Sequence, residues 1–406
     1  MGDQLGQVQA EGKFDRWKVL TAVFLASLSF SVTMQVVAPV LPLIIREFQL
    51  SHAEAGLIAS LFALPMVFLS IPIGVLSDRH GPKLTGLIAL TLAIAGTLLV
   101  AFSPVYPLLL LGRALAGIGS LTVILISPHF ISQWFAGKEL GLAMGLWNSS
   151  VPLGTITSFA TMGSIGQALG WRAPVFISVG ITALALVIFA ALARSKRESR
   201  AQTRSEGQGI GLFQMGLPIW LVGLAWMFYV AATNSYLTFG PDYFQSSGYT
   251  MVNAGVFTGA LQVGSLILGP WIGVLIDRGL NRILPIAFGG VCLALAFILL
   301  PTVPSQIIPL IVLLAIGNCL VPIAIYSLPS RYLSGRKLGL GFGLLSSLMN
   351  AGVFLGPLAS GAARDISGSY FASFVIMSML GAMIPICVLP LRWFEKSAFT
   401  RRQTEG

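Results

Sequence analysis

The sequence predicts an all-α membrane protein: twelve transmembrane helices arranged as two pseudo-symmetric six-helix bundles. Three observations carry this. Of 406 residues, 55% are hydrophobic and 9% charged, with a mean hydropathy of +0.86; a soluble domain has about 25% charged residues. Lipid must cover so much apolar surface, and long uncharged stretches without alternating polarity imply helices rather than a barrel. Next, charges and turn residues cut the chain into twelve apolar runs. Finally, Gly74-Val75-Leu76-Ser77-Asp78-Arg79 recurs as Gly273-Val274-Leu275-Ile276-Asp277-Arg278, and Gly137-Lys138-Glu139-Leu140-Gly141-Leu142 as Gly335-Arg336-Lys337-Leu338-Gly339-Leu340. The offsets (74 to 273 and 137 to 335) are 199 and 198 positions, so the halves are related and parallel.

The expected spans are 17–45, 54–76, 84–103, 106–134, 139–163, 172–193, 216–240, 251–276, 282–301, 305–330, 338–361 and 370–392. Each supplies about the 20 residues that crossing a bilayer needs. The uncharged run Val19–Ile45 is too long for a signal-peptide core, so it reads as a retained first span. Residues 1–193 form the first six-helix bundle and 216–406 the second. Between them, 194–215 reads as a flexible connector: Arg194–Gln214 holds five basic residues and two Glu.

An even number of spans puts both termini on one side. That side gathers Lys13, Arg16, Lys18, Arg79, Lys83, Lys138, Arg194, Lys196, Arg197, Arg200, Arg204, Arg278, Arg282, Arg331, Arg336, Lys337, Arg392, Lys396, Arg401 and Arg402. The other side has Arg46, Arg172 and Arg364. Twenty against three predicts cytoplasmic termini and connector, with the protein in the plasma (inner) membrane. The same distribution explains the net charge of +10: it suits anionic headgroups of the bilayer and argues against nucleic acid as a partner. Cys292, Cys319 and Cys387 lie in apolar runs without metal-ligand spacing. No metal, cofactor or enzymatic nucleophile constellation is expected.

The segment Gly74-Val-Leu-Ser-Asp78-Arg79-His-Gly81-Pro-Lys83 resembles the loop signature between spans two and three of the major facilitator superfamily. Leu111-Gly112-Arg113-Ala-Leu-Ala-Gly117-Ile-Gly119 is similar to that superfamily's second motif. With twelve spans in two halves, the resemblance covers nearly the whole chain. Gln133-Trp134-Phe135 and Gly141-Leu-Ala-Met-Gly145 look like the nitrate/nitrite-porter-like, cyanate-like and monocarboxylate-like carriers, which mainly move small anions. Nitrate porters carry arginines in spans two and eight; this chain has none there, which points away from nitrate or nitrite.

In the loop motif, Gly81 permits a tight turn. Asp78 can meet the positive N-terminus of span eleven near Leu338. Arg79 and Lys83 can pair with acids or headgroups. The resemblance implies a gating latch formed by Gly74, Asp78, Arg79, Gly81 and Lys83, with Asp277 and Arg278 as a partial copy. A purely topogenic loop is the alternative.

For a solute, Arg113 is the sharpest candidate. Its nearest charged neighbours in sequence are Lys83 and Lys138, and it should lie about 10 Å into span four. A charge at that depth usually faces a wet cavity and has a partner. No Asp or Glu lies deep in any span, so the partner is either an anionic solute or, by snorkelling, Glu47 or Glu54. Gln35 and Asn234 are again 199 apart, each deep in an apolar helix, which suits a site on the symmetry axis. Tyr229, Tyr236, Asn318, Tyr326, Asn148, Asn350 and Gln262 are further candidates, with interhelical hydrogen bonding as the alternative. Gly352, Gly356, Pro357 and Gly361 make span eleven pliable, as Pro152 and Gly154 do span five. His129, Asp242, Glu47 and Glu54 are open as proton carriers.

The expectation is a monomeric secondary carrier for a small organic anion, with proton coupling or facilitated diffusion. A drug or lipophile exporter and a non-transporting receptor are the rivals.

Overall fold

The structure, a computed structural model, describes residues 2–135, 138–194, 216–277, 281–326, 328–333 and 336–392. Arg278 and most of the 194–215 connector lie outside the described residues, as do the side chains of Asp78 and Asp277.

Twelve helical spans are present among the described residues, close to the predicted bounds. The first starts earlier than expected, as a helix from Gly2 that runs to Gln35, turns through Ala38–Val40 and resumes over Leu41–Phe48. The second joins His52–Ser60 to Leu64–His80, and the third and fourth are Pro82–Ala101 and Tyr106–Ser132. The fifth is split into Lys138–Asn148 and Ser150–Leu169; the sixth is Arg172–Leu192. The second half repeats the order with Leu217–Ser246, then Met251–Gly259 continued by Val263–Asp277, Ile283–Leu299, Ile307–Ile325, Arg336–Ser367 and Tyr370–Val388. These residues form helices because, in lipid, only intrahelical bonds satisfy the backbone of an isolated apolar segment.

Sequence explains how spans begin and end. Ser51 accepts from the Glu54 amide while the Glu54 carboxylate accepts from the Ser51 amide, a capping box that starts span two. Thr250 caps span eight by accepting from the Asn253 amide. Positions 51 and 250 are 199 apart, so the caps obey the same repeat as the loop motifs. Gly81, at φ +85°, closes span two and opens span three, as the motif predicted.

Two faces can be distinguished. One, the basic face, carries the turns at Gly81 and Trp134–Phe135; the opposite face carries those at Gln49–Ser51, Gly170 and Gly248. The halves meet mainly along three pairs of spans, one with seven, two with eleven and five with eight, with a smaller contact of span two on span seven. Towards the opposite face this seam is backbone against backbone. A Cβ at Gly56 would lie 2.5 Å from the Pro357 carbonyl oxygen, at Gly361 2.2 Å from that of His52, and at Gly255 2.0 Å from that of Phe159. The predicted pliable glycines of span eleven thus serve close approach, and the helix runs unbroken through Pro357.

Candidate functional site

Interrupted helices position the site. Where span one breaks after Gln35 and span two after Ser60, the last carbonyls of each segment lose their intrahelical donors. Arg113, only 2% exposed, supplies them. Its Nε donates to the Ile58 oxygen (3.1 Å), Nη1 to the Thr33 oxygen (3.0 Å) and Nη2 to the Met34 oxygen (3.2 Å). Its guanidinium also lies 4.5 Å from the centre of the Phe62 ring. Two helix C-termini, each carrying partial negative charge, therefore face one cation.

This corrects one alternative for Arg113. It does not snorkel to Glu47 or Glu54. Glu47 accepts from Trp171 Nε1 (2.7 Å) and Arg172 Nη1 (2.7 Å), and Glu54 is committed to its capping box.

Arg113 also lines a cavity of about 20 Å³ between the halves. Gln35, Met34 and Ala59 join it from the first half, and Asn234, Thr238 and Pro357 from the second. The three residues singled out for depth and symmetry, Arg113, Gln35 and Asn234, are thus brought together. Asn234 donates to the Val230 oxygen, 3.1 Å away. Thr238 is a polar lining residue that the sequence reading missed; its position four residues after Asn234 was the available signal.

The other candidates separate into groups. Asn318, 1% exposed, anchors a network in the second half. Its Nδ2, with two hydrogens to donate, lies within reach of three acceptors, the Leu261 oxygen, Gln262 Oε1 and Ser265 Oγ (3.1, 3.2 and 2.9 Å), and Tyr229 donates to its Oδ1 (2.7 Å). Tyr229 stacks on Trp226 (ring centres 5.1 Å apart), and Trp226 meets half-exposed Tyr326 edge-on at the same separation. Tyr236 is fully buried among Phe297 and Phe374 and donates to the Phe257 oxygen. Asn350 is buried and donates to the Ser346 oxygen, while its Oδ1 has no hydrogen-bond partner among the described residues. Asn148 is exposed at the break in span five. His129 is exposed and 3.2 Å from Gln133.

Of the gating candidates, Arg79 is exposed. A Cβ at Gly74 would meet no described atom within 4 Å. Lys83 donates to the Ala190 oxygen (3.1 Å), near the C-terminal end of span six.

On the opposite face, Asp242, a proton-carrier candidate from sequence, joins a cluster whose other members, His52, Asp365 and Tyr370, sequence reading missed. Asp242 accepts from the Tyr370 hydroxyl and lies 3.4 Å from His52 Nε2. Asp365 lies 3.0 Å from His52 Nδ1 and accepts from the His52 and Ala53 amides (2.8 and 2.7 Å).

Twelve spans in two parallel halves around a shared cavity are the architecture of a membrane carrier, and comparison with known proteins gives the family. The profile described as Major Facilitator Superfamily matches residues 21–306 and 257–405, so the chain belongs to that superfamily. It is 26% identical over 385 residues to the "Probable sulfoacetate transporter SauU" of Cupriavidus necator, covering 86% of this chain and 88% of that one. It is 23% identical over 373 residues to the "Lysosomal dipeptide transporter MFSD1" of Danio rerio, covering 86% and 80%. In fold it is similar to a bacterial homologue of the human lysosomal transporter Spinster, crystallised inward-facing and unoccupied. The TM-score is 0.73 at 18% identity, covering 92% of this chain and 96% of that one. The protein is an integral, multi-pass transporter of a small solute.

Proposed function

We infer that this transporter carries a small organic anion by alternating access, with the central cavity as its binding site. The observation that carries this reading is the buried Arg113 guanidinium. It has carbonyl dipoles and an aromatic face around it but no carboxylate partner among the described residues, and it borders the cavity shared by both halves. Three of its five N–H groups are used by these carbonyls. The remaining two suit a carboxylate or sulfonate oxygen, with Gln35 and Asn234 as neutral donors beside it. The likeness to a sulfoacetate transporter supports an anion; the likeness to a dipeptide transporter fits a solute that carries a carboxylate.

In this reading the basic face is cytoplasmic and the 194–215 connector joins the two bundles. The glycine seam seals the opposite face, and Asn148 and Tyr326 are exposed towards the basic side. That combination supports an inward-facing state. The cavity holds about 20 Å³, room for about one water, so a solute must widen it. Each half is built round its own break, so the bundles can rock as units about the cavity.

The test is thermal stabilisation of purified protein across small carboxylates, sulfonates, dipeptides and lipophilic cations. Arg113→Lys keeps a charge but loses the planar fork, and Asn234→Ala leaves the Arg113 contacts intact. Stabilisation by carboxylates or sulfonates that falls about tenfold in apparent affinity in both variants is expected. Stabilisation by lipophilic cations, unchanged in both, would overturn the anion reading in favour of an exporter.

A further inference from the structure

On the face away from the basic loops, ionisable groups from both halves converge on one histidine. His52 is the first residue of the span-two helix His52–Ser60. Its Nδ1 faces Asp365 of span eleven at 3.0 Å, and its Nε2 faces Asp242 of span seven at 3.4 Å. A neutral imidazole has one N–H and can donate to one of these carboxylates; the imidazolium donates to both. Around this core, Tyr370 of span twelve donates to Asp242 and sits edge-on to the His52 ring, with ring centres 5.7 Å apart. Arg364 lies 5.0 Å from the Tyr370 ring. Phe239 of span seven packs 6.4 Å from the imidazole. On span two itself, Glu54 is occupied by Ser51, and Tyr106 of span four donates to the Glu54 carbonyl.

Asp242, Asp365 and Arg364 sum to −1, and an imidazolium brings the cluster to zero. Every contact between His52 and the two carboxylates crosses from the first half to the second. Separating the halves here takes the cation away from both acids.

Asp365 does more than face the imidazole. Its two oxygens accept the amides of His52 and Ala53, so a carboxylate at the end of span eleven caps the N-terminus of span two. These spans run in opposite directions. The expected latch on the basic face, Asp78 at the end of span two meeting the start of span eleven, is the same contact with the two spans exchanged.

We propose that His52, gripped by Asp242 and Asp365, is a proton-binding site that latches the non-basic face shut. Bound proton strengthens the latch; its loss leaves two carboxylates facing one neutral ring and releases the face. This deepens the alternating-access reading and depends on it. By linkage, the sealed state binds the proton more tightly, so acid favours it and alkali favours opening. The ligand is a proton delivered from the non-cytoplasmic side, and it reports that side's pH to the conformational equilibrium.

The experiment measures the opening directly in the full chain. Spin labels are placed at Val105→Cys and Ile366→Cys, which are exposed on this face, one in each half. Cys292, Cys319 and Cys387 are replaced by Ala. Distance distributions are recorded from pH 5 to pH 8 in lipid nanodiscs. The ratio of long to short separations is expected to rise about fivefold or more across that range. His52→Gln should flatten the dependence, and Asp365→Asn should raise the long population at every pH. A wild-type ratio that does not change with pH overturns the proposal without recourse to any variant. So does a His52→Gln profile that matches the wild type. Failure of the anion panel alongside intact pH-dependent opening would remove the substrate reading and leave the latch. A separation fixed under all pH and ligand conditions would instead remove alternating access itself.

Discussion

The two halves meet the same structural problem with different side chains. Spans two and eight are both interrupted, over residues 61–63 and 260–262, and each interruption leaves carbonyls without helical donors in a low-dielectric interior. In the first half Arg113 of span four reaches Ile58 and the end of span one. In the second half Asn318 of span ten reaches Leu261 and is itself held by Tyr229. One solution is a cation, the other a neutral amide. Backbone satisfaction alone does not require the charge, since the second half manages without it. The excess positive charge on one side of a pseudo-symmetric cavity is therefore the feature most directly available to select a solute.

Arg113→Ala strips three buried carbonyls of their donor and removes the group stacked on Phe62. It should destabilise by about 3 kcal/mol, seen as the largest fall in Tm among these variants. A change within measurement error would mean that the carbonyls are satisfied otherwise.

Next come the glycines that let the interrupted spans approach their neighbours. A Cβ at Gly117 would lie 1.7 Å from the Phe62 oxygen, and one at Gly264 2.2 Å from the Ala315 oxygen. Both alanine variants should lose about 2 kcal/mol through overpacking. Gly117→Ala should also weaken solute-dependent stabilisation, because it pushes on the span that holds Arg113, whereas Gly264→Ala should not. Equal effects of the two on solute binding would argue that the halves contribute alike.

The smallest effect belongs to the neutral solution. Asn318→Ala should cost about 1 kcal/mol, and the apparent anion affinity should stay within about twofold of wild type. An anion-binding loss as large as that of Arg113→Lys would move the site into the second half.

Much of this architecture was legible in sequence because hydropathy and charge act over whole segments. The twelve spans, the Gly81 turn and the pairing of Gln35 with Asn234 across the repeat all belong to that kind. The partners of Arg113 were not legible. A carbonyl made available by a helix break has no residue type to mark it, so an anionic solute, Glu47 and Glu54 were the partners that sequence could offer. Tyr236 is a solute candidate by residue type, and its neighbourhood packs it among Phe297 and Phe374. His52 and Asp365 are 313 positions apart, and nothing local distinguishes a latch histidine from one beside a capping box. Their meeting is a property of how the halves dock, which local patterns do not encode.

The seam of glycines facing carbonyls has a consequence for variation. With no side chain between the backbones, even one methyl group at Gly56, Gly255 or Gly361 acts as a wedge; under the proposed alternating access its cost falls on the sealed conformation and vanishes once the bundles part. A saturation library sorted by abundance and then by transport would separate the two. Such wedges should accumulate to ordinary levels yet fail to cycle. The positions at which this happens would trace, residue by residue, the line along which the molecule opens.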